Sequence, residues 1–449
     1  MKIRLQPVEE MPHFESLVVG VRMVLKAIEG NLLVENGTVE APKSGLRVSG
    51  ITECKGDCLF IGDLSTGSMD AHNGEVLIEG SMSADGSIKV KGNLEVKGDM
   101  KADRVEIRRH ADVGGSLEVH EISTGGSLTV KGTAKAHKTD VGGSLRCSSD
   151  AELDRIDVGG SAEIQGTTRS KRIDVGGKFY GYGQVTSDSI DVGGSFEVAS
   201  EVNVEKLDVG GTATVGGGSI SRKVDVGGVF NAKGPLKFGD IDVGGVVSLA
   251  GGTGEDIEVG GKLSSDGSLT FNRFRVGGTA DIIGDAEGRS VRVGGSFRTS
   301  GRIRLSEELN VGGSVETLGS IEAETVMVGG SIRAESVIAS RSIETNQLRT
   351  VRGAKADRIE ISRRGSVVGP LIGREVVVQR DADVEEIWSD HVILLRGARA
   401  RNVYAGILDA EEGSDISGSI LFTGELHAER GCRFTAQPTK TEKLPDPPL

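Results

Sequence analysis

Aromatic residues are nearly missing from this chain: Phe, Tyr and Trp together make up 3% of 449 residues. Surfaces that stack bases or sugars are built from such rings, so the composition speaks against a nucleic-acid or glycan platform. Proline is also scarce, at 9 residues, and Pro438, Pro445, Pro447 and Pro448 all lie near the C-terminus. The four cysteines, Cys54, Cys58, Cys147 and Cys432, are too few for a disulfide framework, so a reduced, cytoplasmic setting is expected. No apolar run reaches the length of a membrane-spanning helix. The opening "MKIRLQPVEEMPHFE" lacks the apolar stretch and cleavage site of a secretion signal. Positive charge is in deficit. With 53 Lys and Arg against 66 Asp and Glu, the net charge is −13. That balance repels nucleic acid and anionic surfaces, while a peripheral membrane contact of another kind stays open.

Glycine, by contrast, is abundant: 68 residues, about twice the usual share. Without proline this is neither collagen nor a Pro-rich linker, and it fits a chain that turns corners often. A repeat explains it. The phrase "IDVGG" occurs at 156–160, 173–177, 190–194 and 241–245, with near copies between. The Val of the in-phase "VGG" copies falls at 141, 158, 175, 192, 209, 226, 243, 259, 276, 293, 311 and 328, a period of 17 residues with one step of 16 and one of 18.

Within one repeat, "IDVGGSFEVASEVNVEK" (190–206), apolar residues occupy positions 1, 3, 7, 9, 13 and 15: Ile190, Val192, Phe196, Val198, Val202 and Val204. Each pair is spaced by two, the strand period. One such turn cannot bury its own core, but stacked turns can. The expected fold is all-β, a three-sided parallel β-solenoid of about 17 residues per turn, with Phe179, Phe196, Phe230 and Phe297 in a dry central column. The "VGG" at Val113 falls out of phase because it decorates another side of the same triangle. The expected division is an N-terminal cap or tail over 1–30, regular solenoid over 31–345, a degenerate continuation over 346–436, and a disordered Pro-rich tail over 437–449. Residues 14–28, "FESLVVGVRMVLKAI", are read as a cap, with "VRMVLKAI" also fitting one helix face. Roughly 24 turns at about 4.8 Å per stacked strand would make a rod on the order of 115 Å long.

Four features invite a functional reading. The glycine pair suggests a phosphate loop, but no helical pattern follows it, and glycine at a corner of positive φ explains it. A column of acids at position 2 (Asp140, Asp157, Asp174, Asp191, Asp208, Asp225, Asp242, Glu258) suggests Ca²⁺ or carboxylate-pair chemistry. Two residues before several of these stand Arg155, Arg172, Lys206 and Lys223, and the column itself turns basic at Arg275 and Arg292. It reads as a partly neutralised solvent face. The seven histidines (His13, His72, His110, His120, His137, His391, His427) show no ligand spacing, and Cys54 and Cys58 fall at inward core positions. Trp388 stands alone. The residues therefore name no catalytic, cofactor-binding or metal site, and the reading is that of a protein that is not an enzyme and holds no cofactor.

The repeat, with "ADRIEISRRGSVVGPLIGREVVVQRDADVEEIWSDHVILLRGARARNVYAG" (356–406), resembles the bactofilins, the polymer-forming cytoskeletal proteins. The period matches over roughly 45–436, and this chain departs from familiar members in its greater length and its regular "VGG" corner. The resemblance implies a right-handed β-helix that joins end to end into filaments without nucleotide and serves as a scaffold. Self-association is then the expected partnership, with further protein partners at the termini left open. Two alternatives stand beside it: a hexapeptide-repeat-like acyltransferase, whose turns are 18 residues with a catalytic His, and a glycan-binding or glycan-active β-helix.

Overall fold

The computed structural model describes residues 16–20 and 22–448. It is an all-β, parallel β-solenoid of about 25 turns with a spacing of about 17 residues. Backbone contacts divide the chain into two units, Met1–Ser221 and Arg222–Leu449, each made of stacked turns.

The turn at 156–172 shows the construction in the first unit. Ile156–Val158 pairs in parallel with Thr139–Val141 on one side and Ile173–Val175 on the other. Ala162 and Ile164 lie between Leu145 and Cys147 and between Phe179 and Gly181. Thr168 lies between Ala151 and Val185. The second unit repeats the scheme: Ile257–Val259 between Ile241–Val243 and Phe274–Val276, then Leu263–Ser265 between Val247–Leu249 and Ala280–Ile282. Each short strand is stable only because its backbone is hydrogen-bonded on both flanks, which a lone turn cannot provide.

Alternation decides what is inside. Ile190, Val192, Phe196, Val198, Val202 and Val204 are all buried, as are Phe179, Phe230 and Phe297. Phe179 and Phe196 stack on successive turns with ring centroids 5.3 Å apart. A fully buried side chain of this size contributes on the order of 1.5–3 kcal/mol, so the column of apolar pairs is the main favourable contribution in each unit.

The ladder extends beyond the expected bounds. Ser16–Val19 pairs with Asn31–Val34, Met23–Val24 with Val39–Glu40, and Ala27–Ile28 with Arg47–Val48. The stretch read as a cap or helix face is a first turn of three strands, and Leu25 and Ile28 are buried in it. Helical periodicity loses here because the strands find ladder partners. Residues 1–15 lie outside the described residues. The early turns are also irregular: Ser16 faces Asn31, an offset of 15, before the turns lengthen beyond 17. Leu32 faces Thr52 and Thr38 faces Leu59, and the offset settles at 17 from Ile88 facing Val105.

Beyond Ser342 the corners change. Turns closed by Ala382 N–H to Gln379 O (3.2 Å), Ala398 N–H to Leu395 O (2.9 Å) and Ser414 N–H to Glu411 O (3.1 Å) replace the glycine pair. Their third residues have left-handed backbones: Asp381 at φ 60°, Gly397 at 72° and Gly413 at 78°. Asp383 faces Arg399 and Arg399 faces Asp415, a shorter repeat of 16. The segment read as a disordered tail contributes one more strand, Thr439–Lys440, against Leu421–Phe422, and Thr441 N–H donates to Phe422 O at 2.8 Å.

Candidate functional site

The glycine pair is the most repeated feature, and its structural role differs from the one expected. None of the glycine pairs that follow Val141 to Val328 in the 17-residue series has a left-handed backbone, whereas Gly217, in the out-of-phase "VGGG" at 215–218, does, at φ 129°. What excludes a side chain is the turn beneath. A Cβ on Gly176 would stand 2.5 Å from the carbonyl oxygen of Gly159, and one on Gly177 2.5 Å from that of Gly160. Gly159 N–H donates to Val141 O and Gly160 N–H to Gly143 O, both at 2.9 Å. The corner is therefore itself a hydrogen-bonded ladder, packed backbone on backbone. It holds no helix N-terminus and so offers no phosphate cradle of the P-loop kind.

The acid column forms as spaced. Asp140, Asp157, Asp174, Asp191 and Asp208 face one another in register in the first unit. In the second, Asp242 faces Glu258, which faces Arg275 and then Arg292. The cations two residues upstream fold across: Arg155 to Asp157 at 3.7 Å, Arg172 to Asp174 at 3.4 Å, Lys206 to Asp208 at 3.2 Å and Lys223 to Asp225 at 2.7 Å. These pairs are well exposed, so each contributes little to stability. Their effect is to neutralise part of a column that would otherwise repel itself. Among the described residues, no three His, Cys, Asp or Glu side chains are grouped to hold a metal ion.

Histidines that show no linear spacing do meet in space. His120 and His137 lie on adjacent turns with ring centroids 4.7 Å apart. His137 Nδ1 is 2.8 Å from Asp154 Oδ2, and Lys171 Nζ is 3.0 Å from the same oxygen. Lys171 and His137 together hold the Asp154 carboxyl below the usual carboxylate range. These four residues recur every 17 positions, a signal visible only once the period is known. They line an open groove with Lys101, Glu118 and Lys135. His391 pairs with Asp409 at 2.7 Å, and His110 Nδ1 with Ser127 Oγ at 2.7 Å. His13 lies outside the described residues.

Trp388 does not stand alone. It faces Tyr404 on the next turn, and the rings stack with centroids 4.7 Å apart. Ile372 faces Trp388 on its other side, and Leu421 faces Tyr404, so one strip of outward positions is apolar. The 16- and 17-residue offsets hide this strip from a linear reading.

Three of the four cysteines are core residues. Cys54, Cys58 and Cys147 are buried, and Cys432 is half-buried. Burial pushes the lone Cys147 thiol up to about 12. No helix among the described residues is long and apolar enough to cross a membrane. Compared with protein-family models, with curated proteins and with solved structures, the chain matches none of them.

Proposed function

We propose that the chain is a non-enzymatic structural scaffold that self-associates end to end, as the resemblance to the bactofilins implies. The observation that carries this reading is the pairing of the terminal strands. Among the described residues, Ser16–Val19, Met23–Val24 and Ala27–Ile28 pair on one flank only. So do Leu426–Ala428, Arg433–Phe434 and Thr439–Lys440. Among the described residues the C-terminal set leaves one turn of three strand edges without a ladder partner, and an unpaired edge is a template for another strand. The last turns are also incompletely covered. Ala398 and Ala400 are buried, whereas Phe422 and Leu426 are half-buried and Ala428 is exposed. A further turn laid on this edge would cover them.

The rest of the molecule supports the same reading. Its conspicuous residues have structural partners: glycines on glycines, aspartates on lysines and arginines, phenylalanines on phenylalanines. Negative-stain microscopy of the purified chain, across salt and protein concentration, tests the proposal. Filaments are the expected result, and monodisperse short particles under all conditions would sink it. Turnover of an acyl-CoA would favour the acyltransferase alternative instead.

A further inference from the structure

We infer that Cys54 and Cys58 form a peroxide-sensitive dithiol that closes to an intrachain disulfide within one turn. The two residues flank a single corner, Lys55–Asp57, at the end of one strand and the start of the next. Both side chains point into the core, 0% and 2% exposed. The Cys58 sulfur lies 3.4 Å from the carbonyl oxygen of Val34. Val34 is the register partner of Cys54 on the adjacent turn. The Cys58 sulfur is thus brought beside the strand column that carries Cys54. The corner is left-handed at Gly56, with φ 74°, and Cys58 Sγ is also 3.7 Å from Gly56 O.

The pair is chemically asymmetric. The mutual influence of the two thiols pushes Cys54 well above the ordinary thiol range and Cys58 below it. Cys58 is then the better nucleophile, since the thiolate is the reactive form. In the first step the Cys58 thiolate attacks one oxygen of hydrogen peroxide. The O–O bond breaks, hydroxide leaves, and Cys58 becomes a sulfenic acid. In the second step the Cys54 sulfur attacks that of Cys58. The S–O bond breaks, the Cys54 proton and the departing hydroxide leave as water, and the S–S bond forms. Two thiols are oxidised and one peroxide is reduced. A small oxidant is required, because both sulfurs are enclosed and only local opening of the corner admits it.

Trypsin supplies a direct test, because Lys55 lies between the two cysteines. The full chain is treated with hydrogen peroxide, alkylated under denaturing conditions, digested without reductant and analysed by mass spectrometry. The expected product is a pair of peptides joined Cys54–Cys58, which dithiothreitol separates, while the isolated Cys147 is recovered alkylated. Recovery of Cys54 and Cys58 both alkylated after treatment would overturn the inference. So would Cys58 found as sulfinic acid with Cys54 free, or a link from either to Cys432. The measurement needs no variant, so a folding defect cannot obscure it.

Discussion

At the residue scale the glycine corner carries the clearest consequence. Its glycines are required by the turn beneath them, not by their own backbone angles. Gly176→Ala forces a methyl against the Gly159 carbonyl at 2.5 Å. It is expected to cost about 1–3 kcal/mol, as overpacking does, seen as a lower denaturant midpoint. Gly20→Ala, whose nearest atom is 3.9 Å away, is expected to change little. Thr139 makes the opposite case. Its hydroxyl is buried in the core column without a hydrogen-bond partner among the described residues, at a position where neighbouring turns carry Ile122 and Ile156. Thr139→Val removes an unsatisfied polar group and keeps the shape. It should raise stability by about 1 kcal/mol or more, read from the same denaturant curve.

At the element scale the unit is a stacked strand triplet with its surface ladders. Most surface pairs are exposed and weak, but Asp256 is more enclosed, beside Arg273 and Asn272. Burial pushes its carboxyl upward, and the hydrogen bonds and charge of Arg273, with a hydrogen bond from Asn272, outweigh this, so it ends below the usual carboxylate range. The unfolded chain therefore takes up the proton first as pH falls. The stabilisation is fully present above the ordinary carboxylate pKa and is lost as pH drops through the folded one. Asp256→Asn should lower stability at neutral pH and flatten the acid limb of stability against pH, and urea titrations at a series of pH values check both. The register that creates such ladders was largely legible in the sequence. The Lys and Arg two residues before the acids pointed to the pairs that form. The later turns were harder to read, because an Asp or Gly in a left-handed turn performs the corner's task without repeating any phrase.

At the scale of the whole molecule the proposal of end-to-end association rests on the edges of the terminal turns. In a parallel ladder alternate residues direct their backbone groups to opposite flanks. Glu429 N–H donates inward to Ala410 O, and Glu425 O accepts inward from Leu408 N–H. Leu426 and Ala428 therefore turn their N–H groups to the open flank. Ala428→Pro removes one outward donor while sparing the inward ladder, a placement proline tolerates at an edge. It should raise the protein concentration needed for assembly by roughly five- to tenfold, the equivalent of about one hydrogen bond, with an unchanged far-UV circular dichroism spectrum. Sedimentation across a concentration series measures the shift, and unaltered assembly would move the contact elsewhere on the molecule.

The repeat by itself determined the fold class, the three strands per turn and most of the core. Strand alternation and a 17-residue period are local properties, written in the order of residues such as Ile190, Val192, Phe196 and Val198. Only the tertiary structure decided what stacking creates. His120 meets His137, which in turn meets Asp154, Trp388 lies on Tyr404, the Cys58 sulfur approaches the strand column of Cys54, and the ladder is already formed at Ser16. Each of these depends on which residue lies one turn away, and that offset varies from 15 at the first strand to 21 at Thr38 before it settles. A corner glycine looks the same in sequence whether it supplies a left-handed turn or makes room for a carbonyl, and the neighbouring turn settles which.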